Sequence, residues 1–149
     1  MAVTIAPALK AKVLLAGEAH GKVLRLGRPI SFWGGVDPAS GEIIELRHPE
    51  RGLSVAGQVL CLPGQIGSSS ASAVLLELLR LGLAPAALVL AERDAILALG
   101  VVVAREMGYP TIPVVELGLA EQALLPQGAW ARVAADGTIT LEDAGQTCS

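Results

Sequence analysis

Two short stretches, residues 57–62 (GQVLCL) and 86–91 (AALVLA), are apolar at almost every position. A strand with one wet face alternates polar and apolar residues; these do not, so each has to be covered on both faces. A helical pattern follows each of them. Over 73–81, Val74, Leu75, Leu78 and Leu79 recur at the spacing of one helix face, and Gly82 supplies a stop. Asp94 is placed to cap a second helix over 95–107, ended by Gly108 and Pro110. A third apolar strand is read at 111–117. Strand, helix, strand, helix, strand with short connections predicts parallel βαβ units with right-handed crossovers.

The first half is punctuated by glycine. Short β-branched or aromatic runs at 12–15, 22–26 and 30–33 are broken by Gly17, Gly21, Gly27, Gly34 and Gly35. Residues 36–41 (VDPASG) read as a turn, since Pro presets φ and Asp and Ser bond their own backbone. A strand is expected at 42–46, and residues 130–141 read as a hairpin around Asp136-Gly137. The expected architecture is one α/β domain over residues 1–149 whose N-terminal part forms an antiparallel β-layer.

With 52% apolar and 17% charged residues, the chain is not intrinsically disordered. Its longest uncharged apolar runs, 81–91 (interrupted by Pro85) and 95–104, are about half the ~20 residues of a bilayer-spanning helix. No membrane span is expected. No secretory leader is read either, because Lys10 and Lys12 follow the short apolar start instead of preceding it. A net charge of −3 gives no basic stripe for nucleic acid. Cys61 and Cys148 lie far apart with no CxxC, so neither a metal set nor a disulfide framework is expected, and a reducing cytoplasm fits.

The stretch that carries chemistry is 64–72 (GQIGSSSAS), which joins a buried strand to a helix. Unpaired amides at a helix start form a ready anion site, and glycines let the backbone approach a ligand. A serine before a helix is commonly only a cap. Hydroxyls at Ser68, Ser69, Ser70 and Ser72 exceed what capping needs. There is no Walker-type Lys-Ser/Thr and no GxSxG elbow. Pattern alone therefore reaches a pocket for a phosphate or a carboxylate and no further.

Residues 27–38 (GRPISFWGGVDP) and 64–79 resemble the small, swivel-domain subunit of the aconitase X family. The similarity continues through 84–87 and 98–104 and covers roughly 17–115. It implies a swivelling β/β/α domain that docks on a large aconitase X subunit as a hetero-oligomer. That subunit, and not this chain, would hold an iron–sulfur cluster; a cluster normally takes three or four cysteines, and this chain has two in unrelated places. The resemblance implies a hydro-lyase acting on a small hydroxy acid, with Ser68, directly after Gly67, as catalytic base. Gly67, Ser69 and Ser70 would form its anion-stabilising surround. In aconitases proper an arginine stands where this chain has Ser70, so the substrate carboxylate would be met differently here, by an arginine of the partner.

Trp33, Gly34, Gly35 and Asp37 are second-rank substrate-binding candidates. Trp33 reads equally as a core or interface aromatic, the glycines as turn residues, and Asp37 as a turn-forming carboxylate. His48 reads as an exposed loop histidine ahead of one that touches the pocket, Arg28 as a carboxylate partner or a surface charge, Glu77 and Arg80 as solvated helix residues, and Cys61 as an inert buried thiol. Two substrates belong to the family, cis-3-hydroxy-L-proline (giving Δ1-pyrroline-2-carboxylate) and mevalonate 5-phosphate. The Ala- and Leu-rich, lysine-poor composition tilts the expectation to the first. A non-catalytic anion-binding or regulatory module is the alternative of a different class. The FWGGVDP and GSSS segments are expected to face the partner.

Overall fold

The computed structural model describes residues 8–64 and 69–142. Along the chain these form β1 (Leu9–Lys10), β2 (Lys12–Leu15), β3 (Ala19–Arg25), a single turn α1 (Phe32–Gly35), β4 (Val59–Leu62), α2 (Ala71–Leu81), β5 (Ala87–Leu90), α3 (Ala95–Glu106), β6 (Val114–Glu116), a short α4 (Leu119–Gln122), β7 (Trp130–Val133) and β8 (Thr138–Glu142).

The strands form one sheet in the order β1-β8-β7-β3-β4-β5-β6-β2. Neighbours from β3 to β6 are parallel and the rest antiparallel. The two ends of that order, β1 and β2, are separated in the chain by Ala11 alone, whose amide donates to the Gly137 carbonyl at 2.9 Å. One continuous segment therefore serves both edges, and the sheet curls back on itself.

Strand periodicity of two divides the core. Val59 and Cys61 of β4, Ala87 and Val89 of β5 and Val115 of β6 point inside the curl, with Ala11, Ala131, Val133 and Ile139. Leu60, Leu62, Leu88, Leu90 and Val114 point out against α2 and α3. The confined interior takes mostly small side chains, whereas the helix-facing side takes leucine. Every residue of β4 and β5 is buried, as their lack of polar alternation demands. Helix α3 approaches α2 closely enough that a Cβ on Gly100 would stand 2.9 Å from the Ser72 carbonyl oxygen.

The βαβ half, the VDPASG turn and the 130–141 hairpin follow the expectation; three first-half readings do not. Residues 30–33 are not a strand: Ile30 precedes the α1 turn. Residues 42–46 are not one either; Val36 with Ile43 and Glu42 with Ser54 make only isolated bridges. Both segments have the right composition, and Ile43 is fully buried while Ile44 is exposed, but no neighbour runs alongside long enough to build a ladder. The antiparallel layer, moreover, is not N-terminal. It joins β1 and β3 to the C-terminal hairpin, a long-range pairing that local pattern cannot reveal. Among the described residues, no helix is long and apolar enough to cross a membrane.

Candidate functional site

Because β4 and β5 are parallel, their carboxyl ends lie on one edge of the sheet, where α2 and α3 begin. In parallel βαβ units ligands bind outside the carboxyl ends of the strands. Asp94 caps α3, its Oδ1 accepting from the amides of Ile96 (2.9 Å) and Leu97 (3.2 Å). Its Oδ2 is buried with no partner among the described residues, and desolvation raises its pKa against the opposing pull of those two amides. At the start of α2, Ser70 occupies the cap position but its side chain makes no capping bond, Ser69 is exposed, and the Ser72 hydroxyl donates to the Ser69 carbonyl at 3.0 Å. Ser68, the expected base, and the glycine before it, Gly67, lie outside the described residues.

The second motif lies against the first. In α1, Trp33 (ψ 114°) and Gly34 (φ 81°) leave helical geometry, and this kink separates two adjacent aromatics. Phe32 is 1% exposed and shares the helix-side core with Ala71 of α2, whereas Trp33 is 62% exposed. Only a glycine takes the φ of Gly34 without strain. Gly35 is required for space, since a Cβ there would lie 2.7 Å from Ile30 Cγ1. Pro29 Cγ stands 3.6 Å from where a Cβ on Gly64 would be, and Phe32 shares the core with Ala71, so residues 27–35 reach the described chain on either side of 65–68.

Asp37 does what a turn carboxylate does: Oδ1 accepts from the Ala39 amide (2.9 Å) and Oδ2 from the Ser40 hydroxyl (3.0 Å). With both oxygens so engaged, it is a scaffold for the kink. Among the described residues Arg28 meets no carboxylate; its Nη1 donates to the Arg47 carbonyl at 3.2 Å. Glu77 and Arg80 pair on the exposed face of α2, at 2.7 and 2.8 Å. Cys61 is buried inside the curl, which pushes its thiol up to about 12. A thiol held protonated is a poor metal ligand, and among the described residues no three His, Cys, Asp or Glu side chains group to hold a metal. The described residues thus do not fit an iron–sulfur cluster.

A scan against family models matches residues 8–141 to the aconitase X swivel domain. The chain belongs to that family. It is 46% identical over 132 residues to the cis-3-hydroxy-L-proline dehydratase of Pseudomonas aeruginosa, covering 87% of this chain and 22% of that protein. A Hypocrea jecorina protein of the same name is 42% identical, with 75% of this chain and 19% of that protein covered. The chain therefore spans about a fifth of the length of these relatives. To the phosphomevalonate dehydratase small subunit of Thermococcus onnurineus it is 34% identical, covering 91% of this chain and 98% of the relative. The crystal structure of Thermococcus kodakaraensis aconitase X (holo-form) superposes with a TM-score of 0.81 at 32% identity, covering 93% of this chain and all of that one. The swivel-domain fold implied by the two sequence motifs is thereby established.

Two features of this aconitase X swivel domain escape sequence reasoning. His48 is not an exposed loop histidine. Its side chain is fully buried, because residues 47–52 fold back onto residues 27–28. At one end of the curl, Gln122 is 1% exposed, and its Nε2 faces the carbonyls of Leu62, Val89 and Leu117 at 3.0–3.4 Å. Beside it Arg25 Nη1 donates to the carbonyls of Gln122, Ala123 and Leu125. These two side chains satisfy carbonyls where strands end and α4 stops, a structural plug. The only local signal for either was polarity next to apolar runs, which does not separate a plug from a surface residue.

Proposed function

We propose that this chain is the swivel component of a dehydratase, completed by a large aconitase X partner, that removes water from cis-3-hydroxy-L-proline with Ser68 as base. One observation carries the reading: the serine-bearing segment joins the carboxyl end of a buried parallel strand to an 11-residue helix whose first residue, Ala71, shares the core with Phe32 of the FWGG turn. The 46% identity to a hydroxyproline dehydratase, against 34–38% to phosphomevalonate dehydratase small subunits, supports the choice of substrate.

In this reading Ser68 takes the proton next to the substrate carboxylate. The freed C–H electron pair forms the C=C bond as the adjacent C–OH bond breaks, and the hydroxyl would depart with charge stabilisation by a Lewis acid on the partner. A serine hydroxyl is a poor base, so it acts as an alkoxide. The positive end of α2, together with hydroxyls and amides at Gly67, Ser69 and Ser70, stabilises that charge. Since the described residues offer no ligand set for it, an iron–sulfur cluster belongs with the partner in this proposal, and the active site is complete only when the two close on each other. Trp33, turned outward by the kink, is assigned to the partner-facing surface, and the cytoplasm is the compartment that suits the free Cys61 thiol.

The test is turnover by the chain co-purified with its large partner, with mevalonate 5-phosphate run in parallel. Dehydration of the proline that requires both chains and vanishes in Ser68→Ala is the expected result. Turnover of the phosphate alone transfers the mechanism to that substrate. Full activity in Ser68→Ala leaves a non-catalytic anion-binding module. Trp33→Ala should leave Tm unchanged and weaken the complex roughly 30-fold, the loss typical of a buried aromatic anchor, measured by titration calorimetry.

A further inference from the structure

The imidazole of His48 uses both nitrogens, and the two serve different ends. Nδ1 accepts the Glu50 amide at 3.1 Å, a bond within the turn, and lies 3.6 Å from Glu50 Oε1. Accepting there leaves the ring proton on Nε2, which donates to the Arg28 carbonyl at 3.1 Å, 20 residues away. Glu50 Oε1 in turn accepts the Gly27 amide at 2.8 Å. The segment 48–50 thus grips residues 27 and 28 from one side. The next residue, Pro29, places its Cγ 3.6 Å from where a Cβ on Gly64 would stand; after it Ile30 Cγ1 lies 2.7 Å from where a Cβ on Gly35 would stand, and Phe32 enters the core with Ala71.

We propose that His48 is a positioning residue: through the Arg28 carbonyl it holds residues 27–29 as a strap that sets where the serine loop leaves Gly64. The inference rests on the dehydratase reading above. It separates from a merely structural role because the bonds that shape 45–51, from the His48 amide to Glu45 and from the Arg51 amide to His48, are backbone bonds that need no imidazole.

Two isosteres divide the ring's functions. His48→Asn places an acceptor near Nδ1, keeping the turn bond, and falls short of Arg28. His48→Gln places a donor near Nε2 and keeps the strap bond. In the complex assembled with saturating partner, H48N should lower kcat about 10–100-fold with little change in KM, the scale on which a misplacement near 1 Å acts, while H48Q stays within about threefold of the parent. Hydrogen exchange on the full chain should show faster exchange at residues 27–30 in H48N and not in H48Q. Equal kcat losses in the two variants overturn the proposal. So does a loss in H48N accounted for by a lower Tm or by lost partner binding. Should the parent complex turn over neither hydroxy acid, the dehydratase reading fails and exchange alone decides: unchanged protection at 27–30 in H48N overturns the strap.

Discussion

Residues 59–117 and residues 26–58 both feed the same helix-side core, yet they are built on different principles. The first stretch is a regular alternation of strands and helices whose leucines, Leu60, Leu62, Leu88 and Leu90, recur at every second position. The second has one kinked turn and two isolated bridges, and sends Phe32, Val36, Ile43 and Val55 individually into the core from an irregular backbone. Repetition lets each residue of the regular stretch share its hydrogen bonding with a neighbour. In the irregular stretch, single contacts hold the backbone: Ile30 against Gly35, the Asp37 turn, the Ile44 amide on the Gly35 carbonyl at 2.9 Å, and His48 on Arg28. The regular stretch thus supplies stability, and the irregular one supplies the border of the candidate site.

That contrast is open to direct attack. The largest effect is expected in the regular stretch. Leu88→Ala, at a fully buried β5 position, should cost about 2–5 kcal/mol and lower Tm by roughly 4–20 °C in a chain of this size, measured by calorimetry. A cost below about 1 kcal/mol would mean that the leucine layer is not the main support.

Gly35→Ala is the counterpart in the irregular stretch. Its Cβ would stand 2.7 Å from Ile30 Cγ1, and Ile30 is 1% exposed, so the side chain has little room to yield. A loss of about 1–3 kcal/mol is expected, the usual range for overpacking. The distinguishing result is in activity: in the assembled enzyme kcat should fall further for Gly35→Ala than for Leu88→Ala, although Leu88→Ala is the less stable.

The smallest effect concerns Asp94, the cap of α3 within the regular stretch. Asp94→Ala removes the acceptor for two amides and should cost about 1 kcal/mol. Burial raises the folded pKa of this carboxyl above its ordinary value of 3.8, so the folded state binds the proton more tightly than the unfolded state. Its contribution to stability is therefore greatest below that ordinary value and falls as pH rises through it toward the raised folded value. Asp94→Asn, which keeps an acceptor but cannot ionise, should flatten that part of the stability–pH curve in denaturant titrations; an unchanged curve would assign the dependence to other groups.

Sequence pattern carried far in the regular stretch because its signals are local: both-face burial of β4 and β5, the leucine spacing of α2, the Asp94 cap and the Asp136-Gly137 hairpin all depend on residues a few positions apart. It failed where composition without periodicity had to decide. The β-branched and aromatic residues at 30–33 and 42–46 promised strands, but a strand exists only with a partner, and the partners are short or missing. At the candidate site, the serine loop and the FWGG turn were visible as motifs, and the tertiary structure set Pro29 beside Gly64.

By itself, then, the amino-acid sequence determined the parallel βαβ half, the turn chemistry of Asp37 and the inert burial of Cys61, since each follows from short-range periodicity or a single residue's conformational preference. Only the tertiary structure decided how the chain closes. The segment around Ala11 serves both edges of the sheet, the C-terminal hairpin joins β3, Gln122 and Arg25 plug the curl, and His48 is drawn inside. These are contacts between residues 20 or more positions apart, where the nearest neighbour in space leaves no trace in the neighbouring sequence.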